Sequence, residues 1–220
     1  MIDPNKKKSS QVSPTEVCYR AFTLMKAKQF DDAEKLLSAN LANTEDNTAS
    51  ALYHSALGVL YKMKGEFKTA WRHYTRAEKF LPNDPAMKII TARLLIEQFS
   101  EYGQAIKRAK KVLELLPNNP VFAHQAHITM GLAHARKGQK QKAIEMLEKS
   151  EGKNFEGFVT AKNIDFQLVE ILVRRGWGID SCKSFLNKAL VFAKGRKEET
   201  FVDAFQKMLH AFEKEHLDVG

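Results

Sequence analysis

Apolar side chains along this chain recur at intervals of three and four residues, the spacing of one helix face, and no run long enough to matter alternates in the two-residue rhythm of a strand. The first such stretch carries Val17, Ala21, Leu24 and Met25 on one side. It opens on Ser13-Pro14-Thr15-Glu16, where Ser13 can cap, Pro14 fits the first turn and Glu16 can complete a capping box. After a polar turn at Lys28-Gln29, a second stretch carries Phe30, Ala33, Leu36 and Leu37. Further helix pairs are predicted at about 48–64 and 66–80, 85–98 and 101–115, and 121–137 and 139–150. Asp84-Pro85 and Asn119-Pro120 mark two of the starts, each with a capping acceptor followed by a proline suited to the first turn. "NIDFQLVEILVRR" and "DSCKSFLNKALVFA" form a fifth, degenerate pair. "EETFVDAFQKMLHAFEKEH" is a last amphipathic helix with Phe201, Phe205, Met208, Leu209 and Phe212 on one side.

The pairs resemble one another. Ala33, Ala70, Ala105 and Ala143 hold the same place in successive second helices and follow at intervals of 37, 35 and 38 residues, slightly above the ~34 of one helix-pair repeat. The predicted fold is all-α, a solenoid of stacked antiparallel helix hairpins. The expected organisation is a basic tail over 1–13, a repeat domain over 14–194 and a capping helix over 197–215. Within the repeat domain the units fall at about 14–47, 51–84, 86–119, 124–157 and, degenerate, 161–194.

The second unit resembles a tetratricopeptide repeat (TPR), whose pattern is W-x2-L-G-x2-Y, then A-x3-F, then P. Here it reads His54-x2-Leu57-Gly58-x2-Tyr61, then Ala70-x3-Tyr74, then Pro82, with His54 in the tryptophan slot and a tyrosine for the phenylalanine. The fourth unit reads His127-x2-Met130-Gly131-x2-His134, then Ala143-x3-Leu147, and Gly138 repeats Gly65 at the turn. The third keeps Ala105-x3-Ala109 and Pro117 but has Arg93 in the glycine slot; the first keeps Ala21, Leu24, Ala33 and Leu37. The small residues Ala21, Ala33, Gly58, Ala70, Ala105, Gly131 and Ala143 are expected where helices approach closely, and Gly65 and Gly138 where the turn needs unusual backbone angles.

The resemblance implies a binding role, since in such arrays the first helices of successive hairpins line a groove that takes a peptide or helix of a partner. By repeat phase that groove is lined by Cys18, Phe22 and Met25, then Leu52, Ser55, Val59 and Lys62, then Met87, Ile90, Leu94 and Glu97, then Gln125, Ile128, Thr129 and Leu132. The cations and asparagines with which the family's carboxylate-clamp members grip acidic chaperone tails are mostly missing from these positions. An apolar groove suits a partner segment with hydrophobic anchors, such as an amphipathic helix. The implied protein is an adaptor, scaffold or chaperone.

Composition adjusts this picture at a few points. The net charge of +9 is scattered, and its densest runs, "KRAKK" and "RKGQKQK", lack the interleaved aromatics that stack on bases. A basic surface touching nucleic acid or an acidic protein is the alternative reading. A third is self-association, with the C-terminal helix or the N-terminal tail in the groove. The opening "MIDPNKKKSSQVSP" has no apolar run, so neither a signal peptide nor a membrane span is indicated, and the cytoplasm is the expected compartment. The two cysteines, Cys18 and Cys182, fit no disulfide framework. His124, His127 and His134 lie near one another without a cysteine or paired carboxylate to complete a metal set. With no phosphate loop, nucleophile elbow or catalytic pairing, no enzyme activity, metal or cofactor is expected.

Overall fold

The computed structural model describes residues 12–217; the basic tail up to residue 11 lies outside the described residues. Eleven α-helices, a π-helical turn and a 3-10 turn account for the regular structure, and there is no strand among the described residues. The chain forms two compact units, the first ending at Met87 and the second beginning at Lys88.

The first unit holds α1 (Pro14–Lys26), α2 (Phe30–Ala42), α3 (Asn47–Met63) and α4 (Phe67–Phe80). The Ser13 hydroxyl accepts from the Glu16 backbone N–H at 3.2 Å, and the Glu16 carboxylate takes a hydrogen bond from Arg20 Nε. Asp46 caps α3 by accepting from the Ala49 N–H at 2.6 Å. Helices α1 and α2 pack as one hairpin, α3 and α4 as the next, with α3 also against α1 and α2. Val17, Ala21, Met25, Ala33, Leu37, Tyr53, Leu57 and Leu60 make the common core of α1, α2 and α3.

The second unit continues α5 (Pro85–Leu94) through a π-helical turn, Leu95–Phe99, and adds α6 (Tyr102–Leu115), α7 (Pro120–Arg136) and α8 (Lys140–Ser150). After the 3-10 turn Ala161–Asn163 come α9 (Gln167–Arg174), α10 (Ile179–Gly195) and α11 (Glu199–Leu217). Asp84 and Asn119 cap as their spacing predicts, accepting from the Met87 and Phe122 N–H groups at 2.8 and 3.1 Å. Helix α7 packs on α6, α8 and α9; α10 packs on α8, α9 and α11. On α11, Val202, Phe205 and Phe212 are buried, so this helix covers an apolar face.

The first-to-second helix turns share one device. A residue with left-handed backbone stands at Lys28, Gly65, Ser100, Gly138 and Gly176. The next N–H reaches back five residues, from Gln29 to Leu24, Glu66 to Tyr61, Gln139 to His134 and Trp177 to Leu172. In the third turn the reach is six residues, Glu101 to Leu95, because the π-helical turn carries one extra residue. Glycine is thus the easy solution, and lysine or serine serves at a strain cost of about 1 kcal/mol.

Residues 151–166 depart from the predicted rhythm. Gly152, Asn154, Phe155 and Gly157 all have positive φ, giving a compact irregular loop. Phe155 is nearly fully buried, edge-on to Phe158 and Phe185 with centroids 5.5 and 5.3 Å away. Burying a phenylalanine is worth about 2–3 kcal/mol, more than the 1–2 kcal/mol of its left-handed backbone, so packing wins. The buried His124 ring sits in the same cluster, 5.4 Å from Phe158.

Candidate partner-binding faces

Two of the small residues, Gly58 and Gly131, stand hard against side chains of other helices. A Cβ on Gly58 would stand 2.4 Å from Cε1 of Tyr74 on α4. On Gly131 it would stand 2.2 Å from Leu168 Cδ2 on α9 and 3.1 Å from Met146 Cβ on α8. Ala21, Ala33, Ala70, Ala105 and Ala143 are completely buried. Gly65 and Gly138 occupy the left-handed turn positions with φ of 78° and 73°.

The tryptophan slot of the second unit holds a histidine pair. His54 Nδ1 lies 3.0 Å from Nδ1 of His73 on α4. One ring nitrogen must donate and the other accept, so this contact needs at least one neutral imidazole. Phe80 stacks on His54 and Tyr61 on His73. Tyr61 Oη donates to Glu34 Oε1 at 2.7 Å, tying α3 to α2. Burial, then the neighbouring histidine and Arg76, push His73 down to about 4; burial and Arg76 lower His54 as well. His124 is likewise pushed down to about 4 by burial. Its Nε2 accepts from the Asp165 N–H, which leaves Nδ1 protonated toward the Ser150 carbonyl. His134 Nδ1 meets Gln139 Oε1 instead, and among the described residues no three metal-ligating side chains gather.

The first-helix residues assigned to a groove divide by burial. In the first unit Cys18 and Met25 belong to the core, Ser55 and Val59 are half-buried, and Phe22, Leu52 and Lys62 reach the surface. Tyr19 on α1 and Met63 on α3 are also exposed, at 69% and 50%. Met87 at the end of this unit is buried. In the second unit Leu94, Ile128, Thr129 and Leu132 are buried, Ile90 and Gln125 half-buried, and Glu97 exposed. Helix α3 packs on α1, α2 and α4, and α7 on α6, α8 and α9, which leaves a stripe of each unit's first helices open to solvent.

In the second unit that stripe is polar at one end and apolar at the other. Arg93 Nη2 reaches Asp165 Oδ2 at 2.5 Å and Gln125 Oε1 at 2.9 Å. Its Nη1 donates to Gln167 Oε1 and its Nε to Thr129 Oγ1. Beyond this network lies a cleft lined by Ile96, Glu97, Leu132, Arg136, Gln167, Glu170, Ile171 and Arg174. Its apolar residues come from the π-helical turn, α7 and α9, and two carboxylates and two guanidinium groups share the lining. Sequence phase brought Glu97 and Leu132 to this place but missed Ile171 and Arg174, since α9 lies in the degenerate pair. It also missed Arg93, whose signal was a long cation in a glycine slot.

The thermophilic TPR protein TTC0263 of Thermus thermophilus superposes with a TM-score of 0.59 at 16% identity, covering 90% of this chain and 99% of that one. A tetratricopeptide repeat protein of Parabacteroides merdae gives 0.58 at 16% identity, over 93% of this chain and 79% of its own. The fold is the TPR fold. PilF of Pseudomonas aeruginosa superposes with a TM-score of 0.60 at 16% identity, over 92% and 91% of the two chains. No family model and no curated protein matches the sequence. In TPR terms, Tyr74 is the aromatic of the second helix seated on the glycine of the first, and His54 with His73 stands where the pattern has tryptophan.

Proposed function

We propose that this protein is a non-enzymatic interaction module, an adaptor or chaperone that holds an amphipathic segment of a protein partner on its first-helix surfaces. One observation carries the reading: the cleft of the second unit offers the half-buried Ile171 above a floor of the buried Ile96 and Leu132, with charges of both signs among its lining residues. An apolar contact flanked by polar groups is the form of surface that takes one face of a partner helix. Phe22, Leu52, Tyr19 and Met63 give the first unit an apolar surface of its own on α1 and α3, which pack together. The cytoplasm is the compartment that best suits the two buried free thiols. No helix of the described residues is long and apolar enough to cross a membrane.

The test is chemical cross-linking and affinity capture from native lysate, comparing the wild type with Ile171→Glu and Phe22→Ser/Leu52→Ser variants shown by circular dichroism to be folded. A partner held by the wild type, cross-linked through the α7–α9 cleft and lost from Ile171→Glu upholds the reading. Capture indifferent to both variants removes it. Leu94 is unsuited to this test because it is buried, and a charge there would unfold the chain.

A further inference from the structure

A second cleft lies elsewhere on the second unit, and its lining is Lys88 from α5 with Gln104, Lys107, Arg108, Lys111 and Glu114 from α6. Positions 104, 107, 108, 111 and 114 follow at three- and four-residue steps, so they form one stripe on α6 about 15 Å long. Four of the six residues are cations, of which Lys107 and Lys111 are exposed, Arg108 half-buried and Lys88 buried. The single carboxylate, Glu114, accepts from Lys111 Nζ at 2.7 Å on the exposed surface. On the other side of α6, Ile106 and Leu113 pack against the core formed by Ala109, Val112, Ala126 and Met130, which fixes the direction in which the stripe points.

We propose that this cleft binds an acidic segment of a protein partner, a helix presenting one carboxylate per turn, and that it does so independently of the apolar cleft. Charge complementarity selects an anion, because a surplus of cations in a concave site concentrates the positive potential. The period selects a helix, since cations one turn apart on α6 match carboxylates one turn apart on a partner, at about 5.4 Å. The lining speaks against nucleic acid and membrane. No aromatic side chain is available to stack on a base, and no apolar side chain to enter a bilayer.

The experiment uses the full chain and a fluorescein-labelled helical peptide with glutamate once per turn, beside the same peptide with glutamine, followed by anisotropy at about 50 and 300 mM salt. The glutamate peptide should bind about tenfold more tightly than its glutamine counterpart at low salt, and the preference should fall at high salt. Lys107→Gln/Lys111→Gln should abolish most of that preference. Lys68→Gln/Lys79→Gln on α4, which removes the same net charge elsewhere, should change it by less than about twofold. Equal losses in the two variants would reduce the effect to overall charge and overturn the site. So would an α6-dependent affinity greater for single-stranded DNA or phosphatidylserine vesicles than for the glutamate peptide. Circular dichroism of both variants confirms folding, as the substituted lysines are exposed.

Discussion

The hairpins α3–α4 and α5–α6 occupy the same phase of the repeat and fill the same two slots in opposite ways. In the first, Gly58 leaves room for the Tyr74 ring; in the second, the corresponding positions hold Arg93 and Ala109, large on the first helix and small on the second. The outer hairpins carry Ala21 with Leu37 and Gly131 with Leu147. Each pair of slots holds one small and one larger residue, but what fills the space differs: Tyr74 stands beside Gly58, Leu168 and Met146 stand beside Gly131, and Arg93 turns toward α7 and α9. The inversion also has a chemical result. A glycine slot only closes a seam, whereas Arg93 reaches out to Gln125, Thr129, Asp165 and Gln167 and knits α5, α7 and the start of α9 into one polar network.

The strongest break of this comparison is at Gly58. Replacing it with alanine sets a methyl group against a buried, rigid ring and is expected to cost about 2–3 kcal/mol, with leucine costing more. Tyr74→Ala alone is expected to cost about 3–4 kcal/mol through the cavity it leaves. The double variant Gly58→Ala/Tyr74→Ala should cost at least about 1 kcal/mol less than the sum, as read by urea denaturation. Simple additivity would mean that the two residues do not share a seam. On the inverted hairpin, Asp165→Asn takes the charged partner from a largely buried guanidinium and is expected to cost about 2 kcal/mol; Arg93→Met strands the Asp165 carboxylate and should cost about as much, while the double variant Arg93→Met/Asp165→Asn should cost less than the sum because no charge is left behind.

Acid separates the hairpins next. His73 and His54 have folded pKa values below the ordinary histidine value of about 6.5, so the unfolded chain takes up protons first as the pH falls. Their stabilising contribution is therefore complete above about pH 6.5 and is lost as the pH falls toward about 4. Arg76 opposes protonation of both rings, and Glu34 favours it at His73. A His54→Phe/His73→Phe variant should show a melting temperature that declines less over this window than that of the wild type. His124 titrates in the same range in the second unit, so His124→Gln is the matching control. An unaltered slope in the first variant would contradict the neutral pair. The smallest expected effect is at the turns: Ser100→Gly, at φ 56°, should stabilise the protein by up to about 1 kcal/mol, whereas Gly138→Ser should destabilise it by a similar amount.

Much of the fold is legible from local rules. Ser13, Asp84 and Asn119 cap where an acceptor precedes proline, and the phase of Ala33, Ala70, Ala105 and Ala143 gives the helix order. The loop at 151–166 escaped because its decisive event is the burial of Phe155 among aromatics from distant segments, which overrides local backbone preference. The π-helical turn escaped for a similar reason, since one residue added at a helix end leaves apolar spacing almost unchanged. For the candidate site, phase names the first helices but not which of their residues remain open. Met25, Leu94 and Ile128 face neighbours, whereas Ile171 and Arg174 line the cleft, and that division depends on how helices stack.

The most direct measurement is the affinity of a captured partner segment for the wild type, for Ile171→Glu and for Lys107→Gln/Lys111→Gln, each at low and moderate salt. A loss of about tenfold or more confined to Ile171→Glu, and preserved at moderate salt, is the result that the apolar cleft predicts. Full affinity in Ile171→Glu, with binding that vanishes in salt or in the lysine variant, would contradict it and move the partner to the basic face of α6.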